Sequence, residues 1–189
     1  MTLLIVGLVV FLGIHTLTTL RAPRAALVSG LGEGPYKGLY SLISAVGLVL
    51  IVWGFGVYRN TSYHQLWNPP PWLHPVALVL MCPAFVALAA AYSPVGRIKA
   101  TLRHPMLVGV KTWALAHLLV NGDLGGIVLF GSLLLWSGYD RATLKRRGDL
   151  GPGPVAGFTS GDLIAIVAGS VAYIAMYWLH PLVIGVAIV

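Results

Sequence analysis

The sequence predicts an all-α fold, a polytopic membrane helix bundle with six transmembrane helices, the fourth and fifth short. Three observations point that way. Of 189 residues, 58% are hydrophobic and 9% charged, whereas soluble domains carry about 25% charged residues; the mean hydropathy is +0.87. The apolar residues gather in six runs, at about 2–20, 36–58, 73–92, 105–120, 124–138 and 162–180, and roughly 20 residues cross a bilayer as a helix. Ten of the twelve Lys and Arg residues lie in the first, third and fifth connections.

The first run has no basic segment before it and reads as a retained span, not a cleaved signal. Arg21, Arg24 and Lys37 flank the connection to the second run, which ends near Arg59. Between Arg59 and Trp72, the prolines at 69, 70 and 71 stop any helix, and Trp67 and Trp72 suit an interfacial belt. The third run carries the single cysteine, Cys82, which has no intrachain partner for a disulfide. Arg97, Lys99 and Arg103 follow.

The fourth run starts at Pro105, whose missing N–H costs nothing in a first helical turn. Asn121-Gly122 is expected to supply a left-handed stop, and Asp123 to N-cap the fifth run. These two short runs form either a hairpin of short spans or a re-entrant pair buried by neighbours. The fifth connection holds Arg141, Lys145, Arg146, Arg147 and the turn-rich Gly151-Pro152-Gly153-Pro154. Ser160 or Asp162 caps the last run. The tail from His180-Pro181 to Val189 is a kinked continuation or an interfacial piece. The positive-inside rule puts the odd connections in the cytoplasm and both termini outside.

The formal net charge of +7 does not indicate nucleic-acid binding. The bases sit in short clusters between apolar runs, and the aromatics lie in or beside those runs instead of along a basic groove. The sequence has no P-loop, Cys-x-x-Cys, His-Glu-x-x-His or Gly-x-Ser-x-Gly pattern. Nor do Glu33 and Asp123 have carboxylate neighbours for an acid/base dyad, so no catalytic residue follows.

The six histidines are the main chemical resource. His74, His104 and His180 precede prolines, and His64 lies in the Trp/Pro-rich connection. His15 and His117 lie within apolar runs, where an ionisable ring is costly unless it faces protein or a cofactor. His15 sits about 9 Å along its helix from Arg21, and His117 about 20 Å from His104. The implied depth difference of about 10 Å suits an axial pair on one haem iron. It equally suits two separate histidines acting as polar glue. Lys111, about 10 Å from His104, snorkels to the cytoplasmic side or reaches an anionic group such as a haem propionate. Trp113, one turn from His117, walls the pocket or packs in the core. His104 and His180 are the alternative ligands.

The chain resembles the NnrU family of bacterial membrane proteins over nearly its whole length. The resemblance is carried by Arg24 to Leu42 with Leu31-Gly32-Glu33 and Tyr36, by Trp53-Gly54 and by the proline-tryptophan stretch. Above all it is carried by Arg103-His104-Pro105 through Gly109, Trp113, His117 and Asn121-Gly122-Asp123. It implies one NnrU-like integral membrane domain over residues 1–189, in the bacterial inner membrane with periplasmic termini. The family name implies an association with nitric oxide metabolism and denitrification. The same family contains the plant 15-cis-zeta-carotene isomerase. That likeness implies haem b held by histidines, at positions matching His15 and His117, with redox-linked ligand exchange and isomerisation of a polyene. Ala114 stands where the plant enzyme has a cysteine one turn before its second ligand.

The expected function is therefore haem b binding linked to nitric oxide metabolism, with His15 and His117 on the metal and Lys111 and Trp113 beside the cofactor. The alternatives are a haem-dependent cis–trans isomerase acting on a lipophilic polyene, and a non-catalytic assembly or transport partner in the lipid bilayer.

Overall fold

The computed structural model describes residues 1–186 and 188. Among these, eight helices form in the order α1 Thr2–Thr19, α2 Arg21–Leu31, α3 Glu33–Thr61, α4 Leu73–Tyr92, α5 Arg97–Leu102, α6 Pro105–Val120, α7 Leu124–Arg146 and α8 Ser160–Val183. The chain divides into two compact units, Met1–Pro69 with Asn121–Leu144, and Pro70–Val120 with Lys145–Val189.

Four helices, α1, α3, α4 and α8, are long and apolar enough to cross a membrane, and α6 is a shorter apolar helix. The expected count of six is not confirmed by these helices. Although α7 extends well past the expected end at 138, its last turns carry Asp140, Arg141, Lys145 and Arg146. Large apolar side chains point away from the protein, with Val79 72% and Leu182 81% exposed. Burying such surface requires lipid.

In the first unit, α1 and α3 pack antiparallel along a seam of glycines. A Cβ at Gly47 would lie 2.8 Å from the Phe11 nitrogen, and one at Gly7 2.6 Å from the Ile51 nitrogen. One at Gly54 would run into the Leu4 backbone. Where lipid replaces water, helices associate through this kind of close backbone approach. The pairs 4/54, 7/51 and 11/47 keep one register, and its continuation brings His15 within a turn of Tyr40. The first connection contains a helix, α2, that hydropathy did not indicate. Extended Leu20 separates it from α1, and Gly32 at φ 84° separates it from α3; glycine alone takes that backbone without strain.

The loop after α3 folds back on the start of α7. His64 donates its backbone N–H to the Tyr58 hydroxyl, and its carbonyl accepts from Leu124 N–H at 2.9 Å. Leu66 and Trp67 donate to the Gly122 carbonyl at 2.9 and 3.1 Å, and Gln65 pairs with Asp123 in an isolated antiparallel bridge. The expected left-handed stop at Asn121-Gly122 is therefore corrected: neither residue has positive φ. Gly122 is needed because a Cβ there would collide with the Trp67 carbonyl. Asp123 does cap α7, its carboxylate accepting Gly126 N–H at 2.8 Å.

In the second unit α4 is the central helix. Its buried Ala77, Ala84, Ala87 and Ala90 leave room for neighbours on both sides. Gly109 of α6 lies against Ala84 and Leu88, and Gly169 of α8 against the Val86 backbone. The third connection holds the short helix α5, again absent from the hydropathy pattern. Its Lys99 Nζ donates to the Ala91 and Ser93 carbonyls, both at 2.9 Å, and so caps the end of α4.

The cap of α8 is Thr159, one residue before the expected Ser160, in a capping box with Asp162 at N3. Asp162 is 1% exposed. Its carboxylate accepts N–H bonds from Arg97 at 3.0 Å, Ile98 at 2.7 Å and Thr159 at 2.9 Å, and the Thr159 hydroxyl at 3.0 Å. One side chain thus starts both α5 and α8. The last helix continues through Pro181 to Val183; positions 187 and 189 of the expected apolar tail lie outside the described residues.

Candidate functional site

His15 lies in the last turns of α1, half-buried. Its Nδ1–H donates to the Phe11 carbonyl at 2.6 Å. A carbonyl only accepts, so Nδ1 carries a proton, and in a neutral ring the lone pair then falls on Nε2. Three aromatic rings surround the imidazole. Phe11 is 4.2 Å away between centroids, and Tyr40 and Trp136 meet it edge-on at 5.4 and 5.6 Å. Trp136 is itself oriented: its Nε1–H donates to Thr16 Oγ1 at 3.0 Å, and the Thr16 hydroxyl donates to the Leu12 carbonyl at 2.7 Å. One turn before Tyr40, the buried Tyr36 hydroxyl has no hydrogen-bond partner among the described residues.

Beside this cluster runs an apolar groove of about 320 Å³ between α1 and α7, lined by Leu8, Leu12, Thr16, Val128 and Ser132 among others. Here α7 is linked to α1 by the Trp136–Thr16 bond.

His117 sits on α6 in the second unit, also half-buried. Its Nδ1–H donates to the Trp113 carbonyl at 2.9 Å, the same one-turn bond that His15 makes. In a neutral ring the lone pair again falls on Nε2. Trp113 lies against the imidazole, 4.7 Å between ring centroids. His180 of α8 belongs to the same unit, and its Nδ1–H donates to the Val186 carbonyl at 2.8 Å. Lys111 is half-buried on the same helix as His117 and makes no hydrogen bond or ion pair among the described residues. His104 is engaged elsewhere, its Nε2–H donating to the Asp149 carbonyl at 3.0 Å.

Trp113 and His117 are thus in contact in the second unit, which also contains His180. His15 belongs to the other, in its own aromatic surround. Among the described residues no group of three or more His, Cys, Asp or Glu side chains could hold a metal ion. The sequence reading missed Tyr40, Trp136 and Thr16. Phe11, one turn before His15, had a local signal, whereas Tyr40 and Trp136 arrive only through helix packing.

The apolar spans, outward-facing aliphatic surface and histidines set into apolar helices define an integral membrane helical protein. The chain belongs to the NnrU protein family, which matches residues 3–188. No curated protein and no solved structure matches it.

Proposed function

We propose that this NnrU-family protein binds b-type haem through intramembrane histidines and serves nitric oxide or denitrification metabolism in the bacterial inner membrane. The observation that carries the reading is the state of the His15 ring. Its Nδ1–H is tied to a backbone carbonyl, its faces and edges are held by Phe11, Tyr40 and Trp136, and its lone pair is directed to Nε2. A ligating histidine usually donates its other ring N–H in this way, which fixes the tautomer and raises its basicity. His117 has the matching bond and a tryptophan against it.

The donor set fits a haem iron, which accepts neutral imidazole from one or both sides. His15 and His117 would hold the iron, Trp113 would line the cofactor, and Lys111 would meet a propionate. His180 is the alternative to His117. Haem supplies redox chemistry and an open or exchangeable coordination position for a small ligand. The protein's own groups orient the rings and exclude water. The basic third and fifth connections support a cytoplasmic location for those loops, with both termini on the other side.

The test is an absorption spectrum of full-length protein purified in detergent after expression with added haem. A Soret band is expected, lost or shifted in His15→Ala and in His117→Ala while the far-ultraviolet circular dichroism is retained. Wild type without a Soret band refutes the proposal.

A second reading, a haem-dependent cis–trans isomerase of a long polyene, is favoured by the apolar groove along α1 next to Thr16. A cis-polyene supplied to the reduced, haem-loaded protein should change isomer. An unchanged isomer profile overturns this reading alone.

A further inference from the structure

We propose that a cationic cavity at one end of the second unit, lined by Arg97 and Arg103, binds a phosphate group. The cavity has a volume of about 440 Å³. One wall is Arg97, Ala100, Thr101 and Arg103; the other is the strap from Leu150 to Val155. It lies where α4 has ended and α8 is about to begin, so a membrane-spanning unit presents it at the bilayer surface.

The charged residues that line this cavity are the two arginines. Within salt-bridge distance, no carboxylate faces either guanidinium among the described residues. The two nearby acids keep their charge but are not among the lining residues, and each is engaged with other donors. Asp162 is buried under four donors. Asp149 accepts Gly151 N–H at 3.1 Å and faces His104 at 3.9 Å. Lys99 points back to the end of α4. The strap contributes Gly151-Pro152-Gly153-Pro154, which carries no charge, and the Thr101 hydroxyl adds a neutral donor.

The backbone holds Arg103 in place at a cost. It is the only non-glycine residue with positive φ among those described, at 63° with ψ −56°. His104 N–H closes a three-residue turn onto the Leu102 carbonyl at 2.7 Å. A γ-turn of that hand is rare and strained for a residue with a Cβ. Gly151, at φ 68°, lies so close to the Arg103 carbonyl that a Cβ would be 2.5 Å from it. The arginine side chain reaches the strap through Nη1–H to the Leu150 carbonyl at 3.4 Å. Two guanidiniums with a neutral opposite wall match the planar, multiply accepting oxygens of a phosphate better than any apolar or cationic occupant. That phosphate comes either from the headgroup of an anionic membrane lipid or from a soluble phosphate compound.

The experiment uses full-length protein in neutral detergent and reads the melting temperature with phosphatidylglycerol, phosphatidylcholine or inorganic phosphate added. The variants are Arg97→Gln, Arg103→Gly and their combination, with Lys145→Gln/Arg146→Gln as the basic control. Arg97 is on the surface, and glycine accepts the backbone at 103, so these variants fold. A rise with phosphatidylglycerol that exceeds the rise with phosphatidylcholine, is lost in the double variant and is kept in the control supports the site and assigns it to a lipid headgroup. The same pattern with inorganic phosphate supports the site and assigns it to soluble phosphate. A rise that is equal in wild type and double variant overturns the proposal, as does no rise with any of the three.

Discussion

Replacing Asp162 tests the junction that joins the start of α5 to the start of α8. In the wild type a carboxylate 1% exposed satisfies three backbone N–H groups and one hydroxyl, at 2.7 to 3.0 Å. Gly96 packs so tightly on it that a Cβ there would be 2.6 Å from Oδ1. Asp162→Ala leaves three amides without their acceptor, and a buried amide so stranded costs about 1–3 kcal/mol. Water entering the space left by the carboxylate recovers part of this, so the expected loss is about 3–5 kcal/mol. Asp162→Asn keeps an oxygen opposite Ile98 but turns an NH₂ toward Arg97 and Thr159, which are donors themselves. Its loss should be about 2–4 kcal/mol. Thr159→Ala removes a cap hydroxyl while the carboxylate remains, at about 1 kcal/mol. The measurement is unfolding in mixed detergent micelles followed by circular dichroism, with hydrogen exchange at the Arg97 and Ile98 amides. The reasoning fails if Asp162→Ala unfolds within about 1 kcal/mol of wild type, or if both amides stay as protected as before.

The remaining predictions concern the glycine seam, the Trp136 bond and the strained turn. Gly47→Leu should push α1 off α3, because even a Cβ would be 2.8 Å from the Phe11 nitrogen. A loss of at least about 2 kcal/mol is expected, read as reduced folded yield and a lower melting temperature. Trp136→Phe keeps an aromatic ring near His15 but loses the bond to Thr16. It should cost about 1 kcal/mol and, if haem is bound, move the Soret maximum without abolishing it. Arg103→Gly should relieve the turn at φ 63°. Because glycine also gains freedom in the unfolded chain, the net gain should be no more than about 1 kcal/mol, seen as an equal or higher melting temperature.

The helices were legible because their signals are local. Pro105 opens α6 and Asp123 caps α7 where the residue types say they should, and α4 and α6 have the expected limits of 73–92 and 105–120. Hydrophobic runs and breakers act through neighbours in the chain, so they can be read from the sequence. The short helices α2 and α5 escaped because each is brief and interrupted by basic residues, so neither contains an apolar run long enough to cross a membrane. The count of six spans is not confirmed, because α6 is short and charge enters the last turns of α7.

The histidines set in apolar surroundings were visible as residue types, whereas their environments were not. Tyr40 and Trp136 reach His15 because glycines at 7, 47 and 54 set the α1/α3 register and because Trp136 finds Thr16. Gly122 looked like a left-handed stop until packing showed it pressed on the Trp67 carbonyl. Asp162 looked like one helix cap and serves two helices. The sequence by itself thus determined the class, the helices and the ionisable groups within them. Only the tertiary structure decided what those groups touch, because contacts across helices depend on which surfaces interdigitate, and hydropathy contains no record of register.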